Sequence, residues 1–193
     1  MKENIIRVAL SLFLKRGYKY VSLVDVAAEV GITKGGIYHY FSSKEDLLDA
    51  AVHYLFDQME AKYMEIFNRK GSLQQVLHSI LVERELSVYA QNMLGMEQSD
   101  YRENHASFIL EVMNHFPKIQ ERIDGSHVMI CQAIEKRLKA AVSKGEIRAN
   151  TDVHVLAVMI LAMLNGQISL GEKLNNLDVR KQMTDSFLQL ICS

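Results

Sequence analysis

A single proline in 193 residues, and apolar residues that recur at helical spacing from end to end, narrow this chain to one fold class. Proline breaks a helix wherever it falls in the interior, so its near absence leaves almost the whole length free for helices. Ile5, Ile6, Ala9, Leu12 and Phe13 fall on one face of a first helix, with Gly17 where a C-terminal cap belongs. Alternating β-branched runs, the mark of half-buried strands, do not occur. The expected fold is all-α.

Capping residues divide the chain further. Ser22 precedes Asp25 by three, the spacing of a capping box, and opens a short helix through Val26, Ala27 and Val30 that Gly31 ends. Thr33 can cap the next, which runs to about Phe41. Ser43, followed by Lys44, Glu45 and Asp46, opens a long helix with Leu47, Leu48, Ala51, Leu55 and Met59 on its inner side. Gly71-Ser72 breaks it, and Ser72 to Gln75 repeats the capping-box spacing. Further helices are expected at 73–94, 103–116, 118–144, 152–171 and 178–191, separated by Gly95, Phe116-Pro117, Gly145 and Gly171. Three short helices are thus followed by a bundle of long ones, and the expected domains are 1–46 and 47–193.

Composition removes several function classes. The formal net charge is −1, so the chain as a whole is no polycation. Locally, Lys2, Arg7, Lys15, Arg16, Lys19, Lys34 and Lys44 outnumber Glu3, Asp25, Glu29, Glu45 and Asp46 within 1–46, a small basic excess of the sign that meets phosphate. The two cysteines, Cys131 and Cys192, stand far apart, as in a reduced cytosolic protein rather than a disulfide scaffold. The opening MKENIIRVAL lacks the apolar core of a signal peptide, and the apolar run Val155 to Leu164 is too short to span a bilayer. A cytoplasmic protein with no membrane partner is expected. No GxSxG, P-loop, dinucleotide fingerprint or paired carboxylates point to an enzyme, and Glu83, Glu85, Glu97 and Glu111 read as solvated helix-face charges. His78, His105, His115, His127 and His154 form no HxH or HxxxH pair, so neither metal nor cofactor is expected.

The chemistry concentrates in the first fifty residues. Two short helices joined by Glu29-Val30-Gly31-Ile32-Thr33 describe a helix-turn-helix, whose second helix enters the DNA major groove with its N-terminal residues toward the bases. Gly35 and Gly36 begin that helix, although each glycine in a helix interior costs about 1 kcal/mol relative to alanine. Glycine there lets the backbone approach sugar-phosphate and base edges where a Cβ would collide. Tyr38, His39 and Tyr40 cannot all point inward, because successive helical residues diverge by about 100°. Some must face outward, where a phenol or imidazole can donate to phosphate. Ile37 and Phe41, four apart, suit the core. Lys44 suits a phosphate better than the helix start it occupies.

The spacing Ala9-x-x-Leu12-Phe13-x-x-x-Gly17-Tyr18-x-x-x-Ser22-x-x-x-Val26-Ala27-x-x-x-Gly31-Ile32-Thr33-x-Gly35-x-x-Tyr38-x-Tyr40-Phe41-x-Ser43-Lys44-Glu45-x-Leu47 closely resembles the DNA-binding module of TetR-family (TetR/AcrR) transcriptional regulators. The resemblance implies that Thr33, Lys34 and Gly35 approach the major groove. It implies backbone contacts from Tyr38, His39, Tyr40 and Lys44, and a second helix capped by Ser22 near a phosphate. Gly36 departs from the pattern, since many members carry a side chain there that can touch a base. Readout is therefore expected to rest on Lys34, Thr33 and Tyr38, with a larger share from backbone contacts and DNA shape.

The remaining helices resemble the family's ligand-binding and dimerisation domain in number and length. Tyr89, Met93, His105, Phe108, Val112, Met113, Met129 and Met163 are the candidates to line an adaptable apolar pocket, or else simply fill the core. The segment from Val153 to Leu170 is apolar nearly all round and needs cover on two sides. With the last helix it can build a four-helix bundle across a two-fold axis, through Val155, Met159, Ala162, Gly166, Phe187 and Leu190. The reading is a ligand-responsive regulator that binds a palindromic double-stranded DNA operator as a homodimer and answers to an unidentified small-molecule effector. The long helix from Ser43 is the expected coupling route. The alternative is a helical protein-interaction module whose helix-turn-helix does not read DNA.

Overall fold

The computed structural model describes residues 1–192, with all their side chains except those of 98–103 and 106. Helices α1 (Lys2–Arg16), α2 (Leu23–Val30) and α3 (Lys34–Tyr40) precede the long α4 (Lys44–Asn68). Then follow α5 (Leu73–Leu77), α6 (Glu85–Leu94), α7 (Gln98–His115), α8 (Pro117–Ser143), α9 (Val153–Ser169) and α10 (Leu177–Ile191). The described residues form no strand. None of their helices is long and apolar enough to cross a membrane.

Packing divides the chain into two compact units, one of Met1–Gln58 with Val88–Asp124, the other of Met59–Ser87 with Gly125–Ser193. The first unit thus draws α7 in with α1–α3, and its bounds differ from a single division after residue 46. Its buried side chains include Ile5, Leu10, Phe13, Val26, Ile37, Phe41, Leu47, Phe108 and Val112. The second unit has its own core, in which Ile66, Leu77, Leu81, Ile134, Leu138, Ala157, Ile160 and Phe187 pack together.

The local signals act as expected at most ends. Ser22 and Asp25 form the reciprocal capping box, as do Ser72 and Gln75. Gly31, Gly95 and Gly145 take positive φ where helices stop. Pro117, with no N–H to lose, takes the first position of α8.

One expectation fails. In place of a continuous helix over 73–94, α5 gives way to a π-helical turn at His78–Val82, where the Glu83 N–H donates to the His78 carbonyl over 3.1 Å. Arg84 then adopts φ 59°, the left-handed region that side chains resist. Glu85, far from being a solvated charge, is what the second unit organises at this break. Its carboxylate accepts from Arg69 at 2.6 Å, pairs with Lys62 at 3.0 Å and accepts from the Ser79 hydroxyl.

The guanidinium of Arg69 leads in pushing the Glu85 pKa down, to about 2. A depressed carboxylate contributes stability above its unfolded pKa, and that contribution is lost as pH falls from about 4.5 toward 2. Glu85→Gln is expected to cost about 1–2 kcal/mol at neutral pH, with Arg69's exposed position already discounted. It should also flatten the acid limb of a stability-against-pH curve measured by denaturant melts.

Candidate nucleic-acid interface

The turn between α2 and α3 is built from backbone requirements. Gly31 sits at φ 78° and ψ 31°, and its N–H donates to the carbonyls of Ala27 and Ala28. Thr33 then caps α3, its Oγ1 accepting from the Gly36 N–H at 3.1 Å. Ile37 is fully buried and Phe41 almost so, and together they fix one face of α3 against the unit. The opposite face is left to solvent, carrying Thr33, Lys34, Gly35, His39 and Tyr38, the last 48% exposed.

The two glycines differ in what surrounds them. A Cβ on Gly36 would lie 3.3 Å from Thr33 Oγ1 and 3.6 Å from Ile32 Cβ, so the cap itself asks for a small residue there. A Cβ on Gly35 would meet only Thr33 Oγ1, at 4.0 Å. Nothing inside the protein asks for glycine at 35.

Tyr40 is half-buried, with its ring edge-on to His39 at 5.3 Å between centroids. Ser22 is exposed, but its hydroxyl is engaged in the cap: it accepts from the Asp25 N–H and donates to the Asp25 carboxylate at 2.6 Å. That bond also holds the Asp25 pKa below its ordinary value.

Lys44 does not stand free on the surface. Its Nζ lies 4.1 Å from the centroid of the Tyr18 ring and donates to the Lys19 carbonyl at 3.4 Å, and burial lowers its pKa. Cation–π attraction of this kind holds the ammonium over the ring. Reaching a phosphate would take Lys44 off that ring.

Tyr18 is the residue that sequence reasoning undervalued. Its ring is edge-on to Phe13 and to Phe116, at 5.3 and 5.4 Å between centroids. The hydroxyl donates to Glu45 at 3.3 Å, and its N–H donates to Glu111 of α7, also at 3.3 Å. Burial first, and Glu45 next, push the phenol pKa up to about 12. Glu111 is therefore a tether between α7 and the short turn before α2, not a solvated charge. The partners are 93 positions apart, so only the Gly17-Tyr18 pair was visible as a signal.

The proposed pocket residues come from both units. Phe108 and Val112 are buried on α7, with Met113 and His105 half-buried on the same helix. Desolvation pushes the His105 pKa down to about 4, so its imidazole is neutral at pH 7. Tyr89, half-buried, donates to Gln58 at 3.0 Å. Met93 borders a recess of about 330 Å³ whose walls carry Arg7, Lys15, Arg16 and Glu29, a polar lining rather than an apolar one. Met129 and Met163 belong to the other unit, where Met129 is exposed and Met163 packs on that unit's core.

Of the proposed dimer residues, Val155, Met159, Ala162 and Gly166 lie exposed on α9, and Leu190 is 72% exposed on α10. Phe187 differs from these in its burial. It points into its own unit's core at 7% exposure, because α10 needs that face to close the core with Leu188 and Ile191.

A capped turn and a short helix with one anchored and one bare face define an N-terminal helix-turn-helix in an all-α chain. Residues 5–51 match the family described as bacterial regulatory proteins, tetR family. Residues 5–51 thus carry the DNA-binding module that this family shares.

Over 104 residues it is 35% identical to the uncharacterized HTH-type transcriptional regulator YuxN of Bacillus subtilis, a stretch covering 52% of this chain and 33% of that protein. Over 65 residues it is 34% identical to the HTH-type transcriptional repressor KstR2 of Rhodococcus jostii, covering 34% of this chain and 32% of that one. The chain thus spans about a third of the length of these curated relatives. A Saccharomonospora viridis protein solved in complex with choline shares the fold over 100% of this chain and 97% of its own, with a TM-score of 0.79 and 21% identity.

Proposed function

We propose that this chain is a cytoplasmic transcriptional repressor that binds a palindromic operator as a dimer and is released by a small, largely apolar effector. The observation that carries the reading is the bare face of α3, where Thr33, Lys34, Gly35 and Tyr38 stand exposed and Gly35 has no internal reason to be glycine. Such a helix fits a major groove, with Lys34 and the ring hydroxyls toward phosphate and base edges. The relatives named above are regulators rather than enzymes, and the named repressor supports the sign of the effect. The choline-bound neighbour supports a small molecule as effector.

Within the first unit, α7 offers a route for the effector's influence. It carries the buried Phe108 and Val112, and through Glu111 it holds Tyr18, on which Lys44 is stacked. A ligand that shifts α7 acts on the base of the DNA-reading module, and couplings of this kind are typically about 1–3 kcal/mol. The module's binding to duplex DNA, followed by fluorescence anisotropy, should weaken steeply as salt rises. Lys34→Ala should reduce the slope of log affinity against log salt by about 1. Binding that ignores both salt and Lys34 would favour the interaction-module reading.

Dimerisation is assigned to the exposed apolar stripe of α9 with Leu190 of α10. Met159, 50% exposed, lies near its middle. Met159→Asp would bury a carboxylate against the partner's apolar surface and is expected to weaken the dimer about 100-fold or more. Sedimentation should then report a folded monomer that no longer holds a palindromic duplex.

A further inference from the structure

Among the described residues, one group of chemically different donors converges within the second unit. Cys131 and Glu135 of α8 and His154 of α9 place a sulfur, a carboxylate oxygen and a ring nitrogen all within 4.8 Å of one another. All three belong to the second unit. Cys131 and Glu135 are four apart, so they share one face of α8. His154 is positioned by the cap of its own helix, since Asp152 Oδ1 accepts from the N–H groups of His154 and Val155 at 3.1 Å. Its Nδ1 lies 2.7 Å from Glu135 Oε1. The other oxygen of that carboxylate is 3.5 Å from Lys139 Nζ.

We propose that Cys131, Glu135 and His154 form a binding site for a divalent ion of the zinc class. Zinc accepts thiolate at about 2.3 Å, imidazole at about 2.0–2.1 Å and carboxylate at about 2.0–2.2 Å. Donors on a tetrahedron of those bond lengths stand roughly 3.3–3.8 Å apart. A group already inside 4.8 Å needs only small rotamer changes to close.

The donor set also selects the ion. Sulfur and imidazole favour zinc, cobalt or cadmium over calcium and magnesium, which take oxygen. One thiolate and one carboxylate neutralise a divalent charge. The gradient of exposure supplies an entry path: Cys131 is 8% exposed, Glu135 19% and His154 70%. Three protein ligands leave a fourth position for solvent or an incoming ligand. Without an ion, the His154 ring stays hydrogen-bonded to the Glu135 carboxylate.

No linear ligand motif reveals this group, because two of its members lie one turn apart and the third comes from the next helix. It stands independently of the DNA-binding reading. An ion there joins α8 to the first turn of α9, beside the exposed Val155.

The test uses the full chain, stripped with a chelator and titrated with Co²⁺ as a spectroscopic stand-in. The expected result is one Co²⁺ per chain, a thiolate-to-cobalt charge-transfer band with the visible bands of tetrahedral cobalt, and their loss when Zn²⁺ is added. Cys131→Ser should remove the charge-transfer band, while Cys192→Ser should keep it. His154→Gln, at an exposed position that leaves the fold intact by circular dichroism, should weaken zinc binding about 100-fold. Zinc should also raise the melting temperature of the wild-type chain but not of His154→Gln. Absence of the charge-transfer band, its loss with Cys192→Ser instead of Cys131→Ser, or unchanged zinc affinity in His154→Gln would each overturn the proposal.

Discussion

Gly35→Ala is expected to raise thermal stability and lower operator affinity together. The added methyl would sit 4.0 Å from Thr33 Oγ1, an ordinary contact, and the backbone there is helical with no positive φ to oppose it. Replacing glycine by alanine in a helix is worth about 0.5–1 kcal/mol, or roughly 2–4 °C per kcal/mol for a chain of this size. On the proposed DNA face, the same methyl projects where the backbone must approach the duplex, and affinity should fall about tenfold or more.

Gly36→Ala separates the two effects. Its Cβ would press on Thr33 Oγ1 at 3.3 Å, so no stability gain is expected. Thermal melts and anisotropy titrations of both variants check this. Unchanged DNA affinity in Gly35→Ala would remove close backbone approach as the reason for the glycine.

The second large effect is on the fold. Tyr18→Ala removes a buried ring that Phe13 and Phe116 contact edge-on and that carries the Lys44 ammonium on its face. Large-to-small changes at such aromatic sites typically cost about 3–5 kcal/mol, a large share of a normal folding free energy. Chemical denaturation should register the loss, along with loss of DNA binding.

Tyr18→Phe isolates the hydroxyl, whose bond to Glu45 is worth about 1 kcal/mol. It also carries a pH signature. The folded phenol, with its pKa pushed up to about 12, contributes stability in full below pH 10. That contribution is lost as pH rises from about 10 toward 12. Tyr18→Phe should lack this part of the alkaline decline.

Which features were legible in the sequence follows from how local their causes are. The helix starts at Ser22, Thr33 and Ser72 could be read because a capping side chain and the amide it serves lie within three residues. The stops at Gly31, Gly95 and Gly145 could be read because positive φ belongs to the residue itself. Arg84 gave no such sign, since an arginine takes the left-handed conformation only under its surroundings, and the interruption of 73–94 went with it.

Long-range partners were invisible for the same reason. Glu85 and Glu111 look alike as helix-face acids, yet one gathers Arg69, Lys62 and Ser79 and the other holds the Tyr18 amide. Helical period also cannot say which side of α10 the chain covers for itself. Phe187 and Leu190 are three apart, and the first is core while the second stays exposed. Among the DNA-facing residues, the motif located α3 and its exposed side, but it could not show that Lys44 is stacked on Tyr18 or that Gly36 is already needed by the Thr33 cap.

The most direct test of the central claim is selection of bound duplexes from a randomised library by the full chain, followed by sequencing. The account predicts enrichment of one palindrome whose half-sites are centred about one helical turn apart, roughly 34–36 Å, as two recognition helices on a two-fold axis require. Recovery of no preferred sequence, from a chain shown to be folded and dimeric, would contradict it.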